Sequence, residues 1–241
     1  MNNAIFRFPP PQNEPIDSYA PGSPTRAALK AELARQAAEP VEIPLVIGGK
    51  QIRTGKTAKV VMPCNHHHVL ATCHLATEKE VALAVDAALA AKHEWEALSY
   101  VERASITLKA AELLSKKHRA GINAATMLGQ GKNAYQAEID SACETIDFLR
   151  FNASFASEVY SEQPASGADQ LNRIEYRPLE GFIFAVTPFN FTAIASNLNM
   201  SVALMGNTTV WKPASTAVLS NYYLMRVFEE AGLPPGVVNF V

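Results

Sequence analysis

The apolar and polar positions change rhythm three times along the chain. Residues 25–38 (TRAALKAELARQAA) are strong helix formers throughout, with Thr25 or Ser23 placed to cap the first turn. From Glu42 to about Ala76 the pattern shortens into β-rich runs, PLVIGGKQI, KVVMP and VLATCHLA, separated by Gly-Gly, Thr-Gly and Asn-His turns. Helical periodicity then returns in four segments. Thr77 opens the first, with Glu80 three residues on, a capping box ahead of EVALAVDAALAAKHEW. Tyr100 to His118 is the second, and Ala120 to about Leu128 the third. The fourth runs from Tyr135 to about Tyr160 and gathers Ile139, Ala142, Cys143, Ile146, Leu149, Ala153 and Ala156 on one face.

The last third has another grammar. Arg173–Pro178 reads as a short strand, and Gly181–Thr187 (GFIFAVT) as a continuous apolar strand of the kind buried on both faces. Asn190–Leu204 is expected to be helical, Asn207–Lys212 a strand, and Ala217–Ala231 a helix ended by Gly232. Val237–Val241 begins a further strand. Strand, helix, strand, helix, strand implies an α/β fold with a parallel sheet and right-handed crossovers. The first 24 residues, rich in Pro, Asn, Ser and Gly, are expected to form an extended arm. Ser161–Gln170 is the one interior stretch that looks like a linker.

Composition narrows the function classes. A hydrophobic fraction of 48% and a charged fraction of 18% are those of a globular chain, and no apolar run approaches the ~20 residues needed to span a bilayer. The net charge of −2 leaves no basic footprint for nucleic acid or an anionic membrane surface. MNNAIFRFPPPQNEP has neither the apolar core of a secretory signal nor the Arg-rich amphipathicity of a transit peptide, so a cytoplasmic location is expected. Cys64, Cys73 and Cys143 contain no CxxC pair, which argues for reduced thiols and against a zinc site. Cys143 falls in the helical apolar stripe, where a buried, inert thiol is expected.

Several candidate motifs yield to plainer readings. Gly129-Gln130-Gly131-Lys132-Asn133-Ala134 fits G-x-G-x-x-A, but it follows a helix, whereas a dinucleotide loop follows a buried strand; a helix C-cap and turn is the better reading. Gly55-Lys56-Thr57 imitates the end of a phosphate loop, yet Gly49 is one residue too far away, and a hairpin turn is expected. His66, His67 and His68 alternate sides on an extended segment and cannot close a tetrahedral metal site by themselves, so no metal is expected. The βαβαβ unit is more informative. Ligands of open parallel sheets bind beyond the carboxyl ends of the strands. Thr187-Pro188-Phe189-Asn190-Phe191 ends the first such strand and Lys212-Pro213 the second, so both should point into one crevice. A lone Asn at such a turn is ordinarily a turn former or cap; an Asn and a Lys at adjacent strand ends leave that reading and a functional one both open.

TPFNF, followed by ALMGNTTVWKP and EAGLPPGVVNFV, resembles the aldehyde dehydrogenase superfamily. TMLGQGKNAYQAEIDSACETIDFLRFNA, NEPIDSYAPGSPTR and MPCNHHH resemble its branch that oxidises L-glutamate γ-semialdehyde, the 1-pyrroline-5-carboxylate dehydrogenases. The resemblance extends over nearly the whole chain and is to the N-terminal portion of such enzymes. It implies a parallel-sheet, Rossmann-like cofactor-binding domain, incomplete here, preceded by short strands and a helical layer. The implied layout is an arm and helix over 1–40, and strands and helices over 41–160. A linker or oligomerisation-strand segment over 161–172 and the first βαβαβ unit of the NAD-binding domain over 173–241 complete it, with the catalytic domain absent. The resemblance also implies roles: Asn190 as an oxyanion-hole donor; Thr187, Pro188, Phe189, Lys212 and Ser215 at the cofactor; Phe191 and Glu138 at the substrate. Ser215 stands where many members place an acidic residue for the ribose, so the sequence alone leaves NAD and NADP open; the branch favours NAD. An aldehyde substrate, oxidised to L-glutamate in proline degradation, and a homo-oligomer are implied for the intact enzyme. The family's nucleophilic cysteine would follow Val241, so this chain alone is expected to be inactive, with a non-catalytic nucleotide-binding or subunit-pairing form, or another aldehyde class, as rival readings.

Overall fold

The computed structural model describes Phe8 and residues 10–241; residues 1–7 and 9 of the expected arm lie outside the described residues. Helix α1 (Pro24–Ala38) begins at Ser23, whose Oγ accepts the Arg26 amide at 3.2 Å, and Pro24 fills the first-turn position where no N–H is needed. Five strands follow: β1 (Val41–Ile43), β2 (Leu45–Ile47), β3 (Lys50–Ile52), β4 (Thr57–Met62) and β5 (Asn65–His74). Helix α2 (Glu78–Ala97) starts in the predicted capping box, with the Glu80 carboxylate accepting the Thr77 amide at 3.0 Å. Helix α3 (Tyr100–Leu113) passes through a π-helical turn, Leu114–His118, straight into α4 (Arg119–Gln130). The two predicted segments are therefore one rod. Gly131, at φ 69°, ends it in the left-handed conformation that favours glycine, as the C-cap reading of this motif required.

Helix α5 (Ala134–Ala137), a π-helical turn over Glu138–Cys143 and α6 (Glu144–Ser161) make up the fourth predicted helix. Its stripe is buried from Ala142 to Ala156, but Ile139 is only half-buried while Glu138 and Asp140 are buried. The wide π turn shifts the phase of the helix by one residue, turning two carboxylates inward. Beyond it lie β6 (Ile183–Val186), α7 (Thr192–Leu204), β7 (Thr209–Lys212), a 3₁₀ turn at Ser215–Ala217, α8 (Val218–Ala231) and β8 (Val238–Phe240).

The strands form two sheets, one of order β1-β5-β4 and one of order β3-β2-β8-β7-β6. β6, β7 and β8 are parallel, as the βαβαβ reading requires, but the β2–β3 hairpin extends the same sheet antiparallel to β8, so the sheet is mixed. Asn239 secures that junction: its Oδ1 accepts the Gly48 amide at 2.9 Å and its Nδ2 donates to the Gly236 carbonyl at 2.8 Å. Alternate residues serve two layers. Leu45, Ile47 and Val210 pack with Ala84 and Ala88 of α2, whereas Val46, Trp211 and Phe240 join the main core with Leu224 and Phe228 of α8. Trp211 and Phe240 meet edge to face at 5.2 Å. Gly236 lets this layer close on α2; a Cβ there would sit 2.8 Å from the Ala87 carbonyl oxygen.

Three expectations are corrected. Arg173–Pro178 forms no strand: it meets no strand to pair with, and the Gln163 side chain satisfies the Ile174 carbonyl and amide at 3.1 and 2.9 Å instead. β6 is not buried on both faces. It is the edge of the sheet among the described residues, with Phe184 and Val186 about 60% exposed and Ala185 buried. Gly55 does not close a hairpin, because β3 and β4 belong to different sheets; it lies in the connection between them, where its amide donates to His74 Nδ1 at 3.3 Å.

Candidate active site

The carboxyl ends of β6 and β7 lie side by side because the strands are parallel and in register, Val186 opposite Lys212. Thr187 continues the ladder, its amide donating to the Lys212 carbonyl at 3.2 Å. Its buried hydroxyl oxygen accepts the Trp211 indole N–H at 3.0 Å, which leaves the hydroxyl proton free to donate. Past Thr187 the chain leaves the sheet through Pro188, Phe189, Asn190 and Phe191 and enters α7. Phe189 and the Asn190 side chain are exposed there.

A cavity of about 560 Å³ opens at this end. Phe189, Asn190 and Ser215 line it, so three of the expected residues do converge. Lys212 is exposed at the end of β7 but does not line this cavity, and neither do Thr187 and Pro188. The remaining wall was not anticipated: Lys59, Val61, Pro63 and His66 come from β4, β5 and their turn, Gly129, Gln130 and Lys132 from the end of α4, and Thr216 from the 3₁₀ turn. The rejected phosphate-loop motif thus contributes to the site as a helix terminus. The Gln130 amide donates to Thr192 Oγ1 at 2.7 Å and Ser220 Oγ at 3.0 Å, tying α4 to α7 and α8 behind the cavity.

Phe191 turns elsewhere. It lines a neighbouring hollow of about 250 Å³ with Lys132, Tyr135, Gln136, Ile139 and Asp140. Lys132 lines both spaces, its ammonium paired with the Asp140 carboxylate, donating to the Asn190 carbonyl, and 4.7 Å from the centre of the Phe191 ring. Burial raises the pKa of Asp140 above the ordinary carboxylate range, and Lys132 offsets part of that rise. Lys132 and Asp140 were missed because eight residues separate them and a π turn intervenes, so no regular helical spacing marks them as partners.

Glu138 lines neither space. It is fully buried and binds the N-terminal arm: Tyr19 Oη donates to it at 2.7 Å, the Asp17 amide at 2.8 Å, Asn123 Nδ2 at 2.7 Å, and Arg119 through two nitrogens. Burial alone would raise its pKa; Arg119, Tyr19 and the Asp17 amide outweigh burial and lower it. Cys143 lies against the same group, Sγ 3.6 Å from Glu138, and burial with that negative neighbour pushes its thiol up to about 12. Cys73 is buried with a raised pKa, and Cys64 is exposed in the β4–β5 turn. None of the three lines the cavity. Among the described residues no cluster of three or more His, Cys, Asp or Glu could hold a metal, and no helix is long and apolar enough to cross a membrane.

Asn190 lies on the cavity wall beyond β6, and Lys212 is exposed at the adjacent strand end. The aldehyde dehydrogenase family model matches residues 51–241, and the chain belongs to that family. It is similar to the delta-1-pyrroline-5-carboxylate dehydrogenase of Agaricus bisporus, 51% identical over 99% of this chain and 44% of that protein. The mitochondrial enzyme of that name from Mus musculus is 47% identical over 95% of this chain and 41% of its own length. Among solved structures, the delta-pyrroline-5-carboxylate dehydrogenase of Mycobacterium tuberculosis bound with NAD superposes with a TM-score of 0.98 at 51% identity, covering all of this chain and 45% of that one. A Thermus 1-pyrroline-5-carboxylate dehydrogenase with bound NAD gives 0.90 at 30% identity, over 98% of this chain and 46% of its own. The chain therefore spans under half the length of the relatives it matches.

Proposed function

We propose that this chain forms the cofactor-facing part of an NAD-dependent dehydrogenase that oxidises L-glutamate γ-semialdehyde, the open form of 1-pyrroline-5-carboxylate, to L-glutamate in proline degradation. The observation that carries the reading is Asn190: an exposed side-chain amide at the carboxyl end of a parallel strand, on the wall of a cavity. There it can donate a hydrogen bond to an aldehyde oxygen as negative charge develops on it.

NAD suits the donor set. Lys212 offers an exposed cation and Ser215 an exposed hydroxyl three residues on, suited to hydroxyl-bearing groups of an adenosine ribose, and Thr187 retains a proton to donate at the strand end. When bound, NAD would supply the hydride acceptor. Phe189 and Pro188 form the apolar side of that strand end, and Phe191 the aromatic wall nearest the aliphatic substrate chain. Glu138 acts through the scaffold, anchoring the arm to the π turn beneath this region. None of the three cysteines is placed to attack the aldehyde, so the thiol chemistry of the reaction belongs outside these residues.

The test adds NAD and pyrroline-5-carboxylate to the full-length gene product and follows NADH absorbance. A rise supports the proposal, and a flat trace with active-site integrity verified by NAD binding refutes the substrate. Residues 1–241 alone should give no NADH. Binding without turnover is the second reading, favoured by the placement of the cysteines, and calorimetry with NAD distinguishes it from an inert fragment. The homo-oligomer is proposed for the intact enzyme on the family resemblance and is tested by size exclusion of the full-length gene product. The mouse relative is named mitochondrial, so the cytoplasmic location is a proposal for cell fractionation to decide.

A further inference from the structure

Helix α7 begins without a side-chain cap of its own, since the residue before it is Phe191. Its start is buried at Thr192 and Ala193, where first-turn amides lack the intrahelical partners of the helix interior. The Asp140 carboxylate, 3% exposed in the π turn that packs against α7, keeps one oxygen without a hydrogen bond and gives the other to Lys132. Lys132, paired with Asp140, also donates to the Asn190 carbonyl, while its charge rests near the face of Phe191. Two consecutive residues, 190 and 191, are thus held by one ion pair through a carbonyl and a ring. A salt bridge that served stability alone would need only Asp140 and Lys132; here the lysine spends a second donor on the turn that carries the Asn190 amide.

We infer that Lys132 and Asp140 are positioning residues that lock the Asn190–Phe191 turn, so that the Asn190 amide is already aimed into the cavity before an aldehyde arrives. This rests on the proposed dehydrogenase function. Pre-aimed donors need no reorganisation as charge develops, and a misplacement of about 1 Å costs on the order of 10²-fold in rate. Gly131 enables the device, because its left-handed turn carries the chain from α4 to Lys132.

The test uses Lys132→Met, Lys132→Arg and Asp140→Asn in the full-length gene product. Amide hydrogen exchange by mass spectrometry or NMR should accelerate about tenfold at residues 190–193 in K132M and D140N, with α8 and β8 unchanged. K132R, which keeps a donor for both partners, should restore slow exchange. With NAD and pyrroline-5-carboxylate, K132M should lower kcat by on the order of 10²-fold while leaving the NAD dissociation constant within about twofold of the parent. Unchanged exchange at 190–193, faster exchange spread evenly over the fold, or a KM effect with kcat intact would each overturn the positioning role. An inactive parent would sink the dehydrogenase reading and the catalytic purpose of the lock together. The exchange pattern would still report the contact, which keeps the two failures distinct.

Discussion

Arg119 holds together more buried charge than any other described side chain near the arm, and replacing it with methionine exposes what that charge costs. Its guanidinium pairs with Glu138, which is fully buried, and with Glu14, which is 8% exposed, and it donates to the Pro15 carbonyl. Removing one partner of a buried ion pair typically costs about 3–5 kcal/mol, because the other charge remains buried. In R119M, Glu138 would keep three neutral donors, Tyr19, Asn123 and the Asp17 amide, and Glu14 would keep Arg150 and Ser115. The lower end, about 3 kcal/mol, is therefore expected. Urea unfolding followed by tryptophan fluorescence measures it. The pH dependence supplies a second readout. In the parent, the folded pKa of Glu138 lies below its ordinary 4.5, so its contribution is complete above that value and is lost as pH falls through the folded pKa. Without Arg119, burial raises the Glu138 pKa, so the charged form destabilises and protonation on acidification relieves it. The gap between parent and R119M should narrow as pH falls from 7 through the ordinary carboxylate pKa. Glu138→Gln added to R119M should recover stability at pH 7. A loss below about 1 kcal/mol, the size of an exposed surface pair, or a further loss in the double variant, would refute the buried-charge reasoning.

Two further outcomes follow from the same structure. In the full-length gene product Asn190→Ala should lower kcat on the order of 10²–10³-fold with NAD binding preserved, as expected for loss of one oxyanion donor; steady-state kinetics and calorimetry check both halves. In the native state iodoacetamide should modify Cys64 first, since it is exposed, while Cys73 and Cys143, buried with raised thiol pKa values, react after unfolding; peptide mass mapping reads the order.

Local signals in the sequence located much of this fold. The Thr77–Glu80 box marked the start of α2, Gly131 and Gly232 marked helix ends, and apolar runs spaced by helical stretches announced β6, β7 and β8. What escaped depends on neighbours distant along the chain. The β2–β3 hairpin joins the parallel sheet because Val46 pairs with Phe240, a choice no local pattern records. β6 looks like a central strand because its composition is that of one, yet in this chain only β7 pairs with it. The π turn at Glu138–Cys143 breaks the period on which helical faces are read, so the periodicity did not show that Glu138 and Asp140 face inward. The candidate site divides the same way. Asn190, Phe189 and Ser215 were legible from strand ends and a family resemblance, whereas Lys132 enters through a contact spanning 58 residues.

The arm from Asn13 to Tyr19 behaves as a tether. Asn13 and the Glu14 amide hold Asp147, the Glu14 carboxylate binds Arg119 and Arg150, and the Asp17 amide and Tyr19 hydroxyl close over Glu138. For anyone preparing this protein, trimming to the first regular helix is therefore not a cosmetic edit. Cleavage anywhere before Pro24 that discards these residues would uncap a buried carboxylate and strand Arg119 beside it. An affinity tag would be safer at a terminus farther from this knot of charges.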